Sequence, residues 1–411
     1  MIWSHKQDAV IREIVSAASV VVTWKEIAER VSRRLGYFVT EDQVRNRANR
    51  IGAERFIPQP EPAVVREVSE QYERFIAADE KREATAKART EARSERLLRV
   101  IEDTVPKIVV PTFPRLEAPE RGTVQEGLAI ISDAHYGQLV DPAVVGSGWD
   151  YSKYLFEERF YALRSRLSRI IEIQKHVEPF GAFHVFFLGD MVDGVDMRRG
   201  QSHRNDINSA AMQAFGVAEY FSRFLAELSG IVPELYVHCV YGNHGRVGDF
   251  GVNLGMDNWD FVAYQAMQAE LRGAENIHFV IPTEKYGIED VLGHNIYYAH
   301  GDAIGGKGTT SKAIKGYVAS LQNLHHQVFD LALFGHFHTP EQYATGNTLI
   351  YMNGAWPGGD DYSINQLGLA TPPRQWAFGL SPSRAFPTWE YQLDLAPAHE
   401  ATPPSSERVA W

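Results

Sequence analysis

"LALFGHFHTP", residues 331–340, is an apolar run that stops at a glycine and then sets His336 and His338 two positions apart. In an extended chain residues i and i+2 point to the same side, so both imidazoles face one point at the C-terminal end of a strand. Open α/β sheets hold their ligands at that edge.

Working outward, further short apolar runs at 128–132, 183–188, 235–241, 277–281, 295–299 and 348–352 read as strands. Amphipathic stretches around 153–175, 207–229, 257–272 and 311–327 separate most of them. Alternation of this kind from residue 127 predicts an α/β domain, in a layered αββα form.

The ends of these strands carry the chemistry. The first gives "SDAHYG", with Asp133 and His135, and the second gives "LGDMVDG", with Asp190 and Asp193. "YGNHGR" follows the third, with Asn243 and His244, and "AHGD" ends the run at 295–299, with His300. A lone Asp or His after a strand is most often a cap or a turn former. Five strand ends that each deliver carboxylate, amide oxygen or imidazole, in a region whose only cysteine is Cys239, are not explained by turns. Hard and borderline divalent metals take this donor mixture, and the groups suffice for two. Two cations about 3.5–4 Å apart form a clamp for phosphate-ester displacement.

The order D-x-H, G-D-x-x-D, G-N-H, H-G, G-H-x-H resembles the calcineurin-like metallophosphoesterase superfamily over residues 127–355. The resemblance implies a fold of two packed mixed sheets flanked by helices, with a dimetal site at the strand ends. It implies that Asp133, His135 and His338 hold the first metal, that Asp190 bridges both, and that Asn243, His300 and His336 hold the second. Manganese is the first expectation, with iron, zinc, magnesium, nickel and cobalt as alternatives. His244 is implied as the group that protonates or stabilises the leaving oxygen, and Asp193 as a residue that orients its neighbours. In the superfamily the third block usually continues to an acidic residue that can orient the histidine, whereas here Gly245 and Arg246 follow.

Basic groups near the blocks are candidate phosphate contacts: Arg246, Arg198 and Arg199 in "DMRRGQSHRND", and Lys307 in "GDAIGGKG". The last segment is not a P-loop, because Gly308 stands where the hydroxyl that binds magnesium belongs.

Residues 1–57 read as three short helices opened by capping boxes, Ser4 with Gln7, Thr23 with Glu26 and Thr40 with Gln43. The third helix sets Val44, Ala48 and Ile51 on one face and Arg45, Asn46, Asn49 and Arg50 largely on the other. The segment resembles a helix-turn-helix module, which implies that Arg45, Asn49 and Arg50 contact DNA. Residues 58–126 read as a charged helical spacer with a proline-rich linker, 127–395 as the metallophosphoesterase domain and 396–411 as a mobile tail.

The net charge of −11 divides unevenly, with residues 1–60 at net +3. One cysteine excludes an internal disulfide, and no run nears the roughly 18 apolar residues of a membrane span, so a soluble cytoplasmic protein is expected. The resulting expectation is a dimetal phosphodiesterase acting on nucleic acid: a DNA nuclease of the SbcD-like repair type or a phage-encoded branch. A homodimer and an ATPase or other repair or phage partner are compatible with it. The alternatives are a phosphomonoesterase or cyclic-nucleotide phosphodiesterase recruited by its N-terminal helices, and a non-catalytic DNA-bound scaffold.

Overall fold

The computed structural model describes residues 3–17, 22–53, 81, 96, 99, 101, 124–145, 149–197, 200–248, 255–304, 311–359, 363–365, 368, 370–382 and 387–396. Most of the expected spacer at 58–126, the tail beyond 396, Arg198, Arg199 and Lys307 lie outside the described residues. The chain divides into two compact units, Met1–Ala86 and Lys87–Trp411.

In the first unit α1 (His5–Ala17), α2 (Trp24–Leu35) and α3 (Glu41–Arg50) pack around Ile11, Val15, Ile27, Val31, Val44 and Ala48. Thr23 and Thr40 each complete a reciprocal capping box, satisfying backbone donors that a helix start leaves open. At Ser4 the Gln7 side chain accepts from the Ser4 backbone N–H at 2.7 Å. Gly36 ends α2 at φ 78°, a left-handed conformation that glycine adopts without a Cβ clash.

The second unit is built on two mixed sheets. In the first, β1 (Gln125–Ile131), β2 (Phe180–Phe187), β3 (Leu235–Cys239) and β4 (Ile277–Val280) run parallel in that order. Strands β10 (Arg374–Leu380) and β11 (Glu390–Asp394) extend it antiparallel beyond β1. The second sheet has the order β5-β6-β7-β9-β8. There β6 (His294–Ala299), β7 (Leu331–Phe334) and β9 (Thr348–Met352) are parallel, with β5 (Tyr286–Val291) and β8 (Glu341–Thr345) antiparallel at the edges.

Leu128, Ile130, Phe186 and Leu188 of the first sheet pack against Ile296, Tyr298, Leu331 and Leu333 of the second. The outer face of the first sheet is covered by α4 (Lys153–Val177), α5 (Ala210–Ser229) and α6 (Trp259–Glu270). The outer face of the second is covered by α7 (Ser311–His325) through Ile314, Val318 and Leu321. The predicted αββα sandwich is therefore the observed architecture. Central strands buried on both faces, such as β2 with its sequence FGAFHVFF, read as continuous apolar runs.

Four strands escape the sequence reading. β5, β8 and β11 mix charged and half-buried positions because each lies at a sheet edge. β10 is buried but sits between Pro372–Pro373 and Pro382, a context that reads as loop. No helix among the described residues is long and apolar enough to cross a membrane.

Candidate metal centre and active site

Strands β1, β2, β3, β6 and β7 deliver their five end segments to one place. Asp133, His135 and His338 offer ligand atoms that lie together, and so do Asp190, His300 and His336. In the first group His338 Nε2 lies 3.3 Å from Asp133 Oδ1 and 3.2 Å from His135 Nε2. In the second, His300 Nε2 lies 3.0 Å from Asp190 Oδ2 and 3.2 Å from Asn243 Oδ1. His300 Nδ1 donates to the Leu188 carbonyl at 2.7 Å, so its proton is fixed there and Nε2 is aimed inward.

Donor separations of 3.0–3.3 Å are the edge lengths of a coordination polyhedron with bonds of about 2.1 Å, so the residues fit a divalent cation in each group.

The backbone is strained at the same points. Asp133 (φ 53°), His135 (φ 44°), Asp190 (φ 51°), His336 (φ 70°) and His338 (φ 58°) all adopt left-handed conformations, and only Leu292 and His326 share this among the other described non-glycine residues. Each such residue costs on the order of 1 kcal/mol, and such strain gathers at functional sites.

Asp260 holds two of the five segments and was not singled out from the sequence. Its carboxylate, fully buried, accepts from the backbone N–H groups of Asp190 (2.8 Å), Met191 (3.0 Å), Val192 (3.1 Å) and Gly242 (2.9 Å). Burial, together with the nearby Asp190 charge, pushes it up to about 6. In sequence it sits in the first turn of α6 after the Asn258 cap, where an acid reads as an ordinary complement to the helix dipole. Gly242 is required beside it, since a Cβ there would stand 2.1 Å from Asp190 Oδ1. Asp260→Ala strands four buried donors, and we expect a stability loss of at least about 4 kcal/mol in urea titration, each orphaned group costing about 1–3 kcal/mol. An unchanged midpoint would show that water replaces the carboxylate.

His244 stands at the wall of the first group, its ring centroid 4.4 Å from that of His135. Its Nδ1 donates toward Asp193 Oδ1 and the Asp193 carbonyl, each at 3.2 Å. Asp193 Oδ1 also lies 3.4 Å from His135 Nδ1. The acid missing after His244 is thus supplied from the second strand end. Gly245 cannot carry it, because a Cβ at that position would meet Asn258 Oδ1 at 2.4 Å. Arg246 Nη2 donates to the Met197 carbonyl at 3.1 Å, tying the third loop to the second. Gln201 donates to both the carbonyl (2.6 Å) and Oδ2 (3.1 Å) of Asp193, and Gln213 accepts from Gly194 N–H at 2.8 Å. Neither glutamine announces itself in the sequence.

Charge in this pit is tightly balanced. Burial raises Asp190, but the positive rings of His300 and His244 outweigh it and hold the carboxyl well below the usual range. Burial likewise disfavours the charged form of His300, yet the Asp190 carboxylate lifts it to about 10. His336 is held down at about 4 by burial and by the neighbouring His300 charge. A cleft of about 410 Å³ opens beside His244 and Asp193, between the segments that follow β1 and β2.

No family model and no curated protein matches this chain. Among solved structures, a novel archaeal phosphodiesterase is 11% identical over 65% of this chain and 99% of its own, with a TM-score of 0.30. A predicted phosphoesterase from Streptococcus pneumoniae is 11% identical over 66% and 98%, with a TM-score of 0.28. A Vps29 complexed with zinc from Entamoeba histolytica is 11% identical over 65% and 99%, also with a TM-score of 0.28. At scores this low no property of those proteins is transferred to this chain.

Proposed function

We propose that this chain is a dimetal-dependent phosphodiesterase that acts on nucleic acid. The observation that carries the reading is the convergence of the Asp133/His135/His338 and Asp190/His300/His336 donor groups, both largely buried, with a histidine, His244, whose Nδ1 faces Asp193. Asp133, His135 and His338 would hold one cation and Asn243, His300 and His336 the other, with Asp190 shared between them. Two divalent cations bound there would offset the negative charge on the phosphate oxygens and on the leaving oxygen during displacement. His244 gives its Nε2 proton to the leaving oxygen, and Asp193 keeps the ring oriented and stabilises its charged form. Burial of the carboxylates keeps water from screening these charges.

The N-terminal unit supports nucleic acid as the substrate. Asn46, Asn49 and Arg50 of α3 are exposed; Arg45 is half-exposed, paired with Glu41 and lying over the Trp24 ring, and Arg47 is paired with Asp8 at 2.5–2.7 Å. In this reading α2 supports α3, and α3 reads the major groove.

The test is hydrolysis by the full chain with Mn(II), side by side on bis(p-nitrophenyl) phosphate, p-nitrophenyl phosphate and labelled DNA. We expect diester and DNA to be cut and chelator to stop both. Preference for the monoester with intact DNA would make the protein a phosphomonoesterase. DNA affinity across a salt series, with chelator present so that nothing is cut, tests the N-terminal unit. Arg45→Ala and Arg50→Ala should each weaken binding and lower the salt slope by about one. Affinities equal to wild type would remove α3 from the interface.

A further inference from the structure

The cleft beside His244 has features that the metal groups do not account for. One wall is apolar and exposed: Leu139 is 43% and Val144 56% accessible, although both stand next to the most polar part of the molecule. The other wall carries His203 and Arg204, both exposed. The two walls are fixed to each other, because Leu139 N–H donates to the Arg204 carbonyl at 2.7 Å and Gln138 pairs with Asn205 in a β-bridge. Asn205 in turn donates to the Gly194 carbonyl at 2.6 Å, next to Asp193. The cleft is therefore built on the loop that orients His244. Gln138 lines it as well, and its Oε1 is buried with no hydrogen-bond partner among the described residues.

We infer that this cleft seats one unpaired nucleotide on the leaving side of the scissile bond, with its base against Leu139 and Val144 and its far phosphate at His203 and Arg204. The inference rests on the phosphodiesterase reading, because the leaving side is defined by His244, the proton donor that lines the cleft. Ligand pockets run from about 300 to 1,000 Å³, so 410 Å³ takes one nucleotide and excludes a duplex. The apolar wall covers a base face, and Arg204 on the other wall meets the next phosphate. A paired nucleotide must leave its stack to enter, so single-stranded substrate is preferred.

The experiment compares binding of thymidine 3′,5′-bisphosphate and inorganic phosphate to the metal-loaded full chain by calorimetry. Both ligands present phosphate to the cations, and only the nucleotide reaches the cleft. Wild type should bind the nucleotide at least about tenfold more tightly, and Leu139→Asp and Arg204→Ala should each remove most of that advantage. Both positions are exposed, so the variants keep the fold. Single-stranded DNA should be cut at least about tenfold faster than blunt duplex of the same sequence. Equal affinity of wild type for the two ligands, or an advantage that survives both substitutions, would overturn the inference, as would equal cutting of single strand and duplex. Absent diester hydrolysis with the nucleotide advantage intact would remove the phosphodiesterase reading and leave the nucleotide seat standing.

Discussion

In an Asp190→Asn variant, metal content falls at both positions and hydrolysis of bis(p-nitrophenyl) phosphate drops by at least about 10³-fold, a scale set by the charge stabilisation that metal ions contribute. The substitution is chosen to leave the fold in place. Asparagine tolerates the left-handed backbone found at residue 190, and its amide oxygen can still accept from the His244 N–H, now 2.7 Å from Asp190 Oδ1. What it lacks is the charge that the two donor groups would share. The loss should be visible without turnover as well: His300, lifted to about 10 chiefly by this carboxylate, should titrate far lower in the metal-free variant, which NMR of the imidazole can follow. His336→Ala and His338→Ala should each weaken one cation and spare the other, since their side chains fall in different groups. Two tightly held metals in Asp190→Asn by elemental analysis would refute the shared role.

Replacing His244 with alanine separates chemistry from metal binding. We expect both cations to be retained and turnover to fall by about 10²–10⁴-fold, the range for loss of a positioned general acid. The deficit should be smallest on p-nitrophenyl esters, whose leaving group departs without a proton, and largest on DNA. Asp193→Ala should behave differently, because Asp193 faces both His244 and His135. It should lower turnover and also loosen the first cation. Loss of metal in parallel with rate in His244→Ala would instead make His244 a ligand, and wild-type turnover on DNA would remove it from the reaction.

Much of this site is legible in the chain because its chemistry is local to strand ends. An apolar run that stops at Gly335 and resumes with His336 and His338 fixes the strand and places two imidazoles at its end, but not their direction: the extended chain expected there is left-handed at both residues, and the two rings fall in different donor groups. Capping boxes at Thr23 and Thr40 are equally local, since each involves residues three apart. By itself the sequence thus determined the strands of the sandwich centre, their covering helices and the residues gathered at one edge.

Tertiary structure decided the rest. That Asp193 replaces the acid absent at Gly245, and that Asp260 ties the loops of β2 and β3 together, follow from contacts 51 and 70 residues apart, for which neighbouring residues hold no record. The left-handed backbone at five of the site's non-glycine residues is likewise invisible to propensity, because the surrounding fold imposes it against local preference. Edge strands such as β8 and β11 carry no apolar period, since one flank has no sheet to pair with and their exposed positions admit charge. The cleft beside His244 exists only because the segment after β1 and the segment after β2 are bridged face to face, and a volume between two chain segments is a property of neither sequence alone.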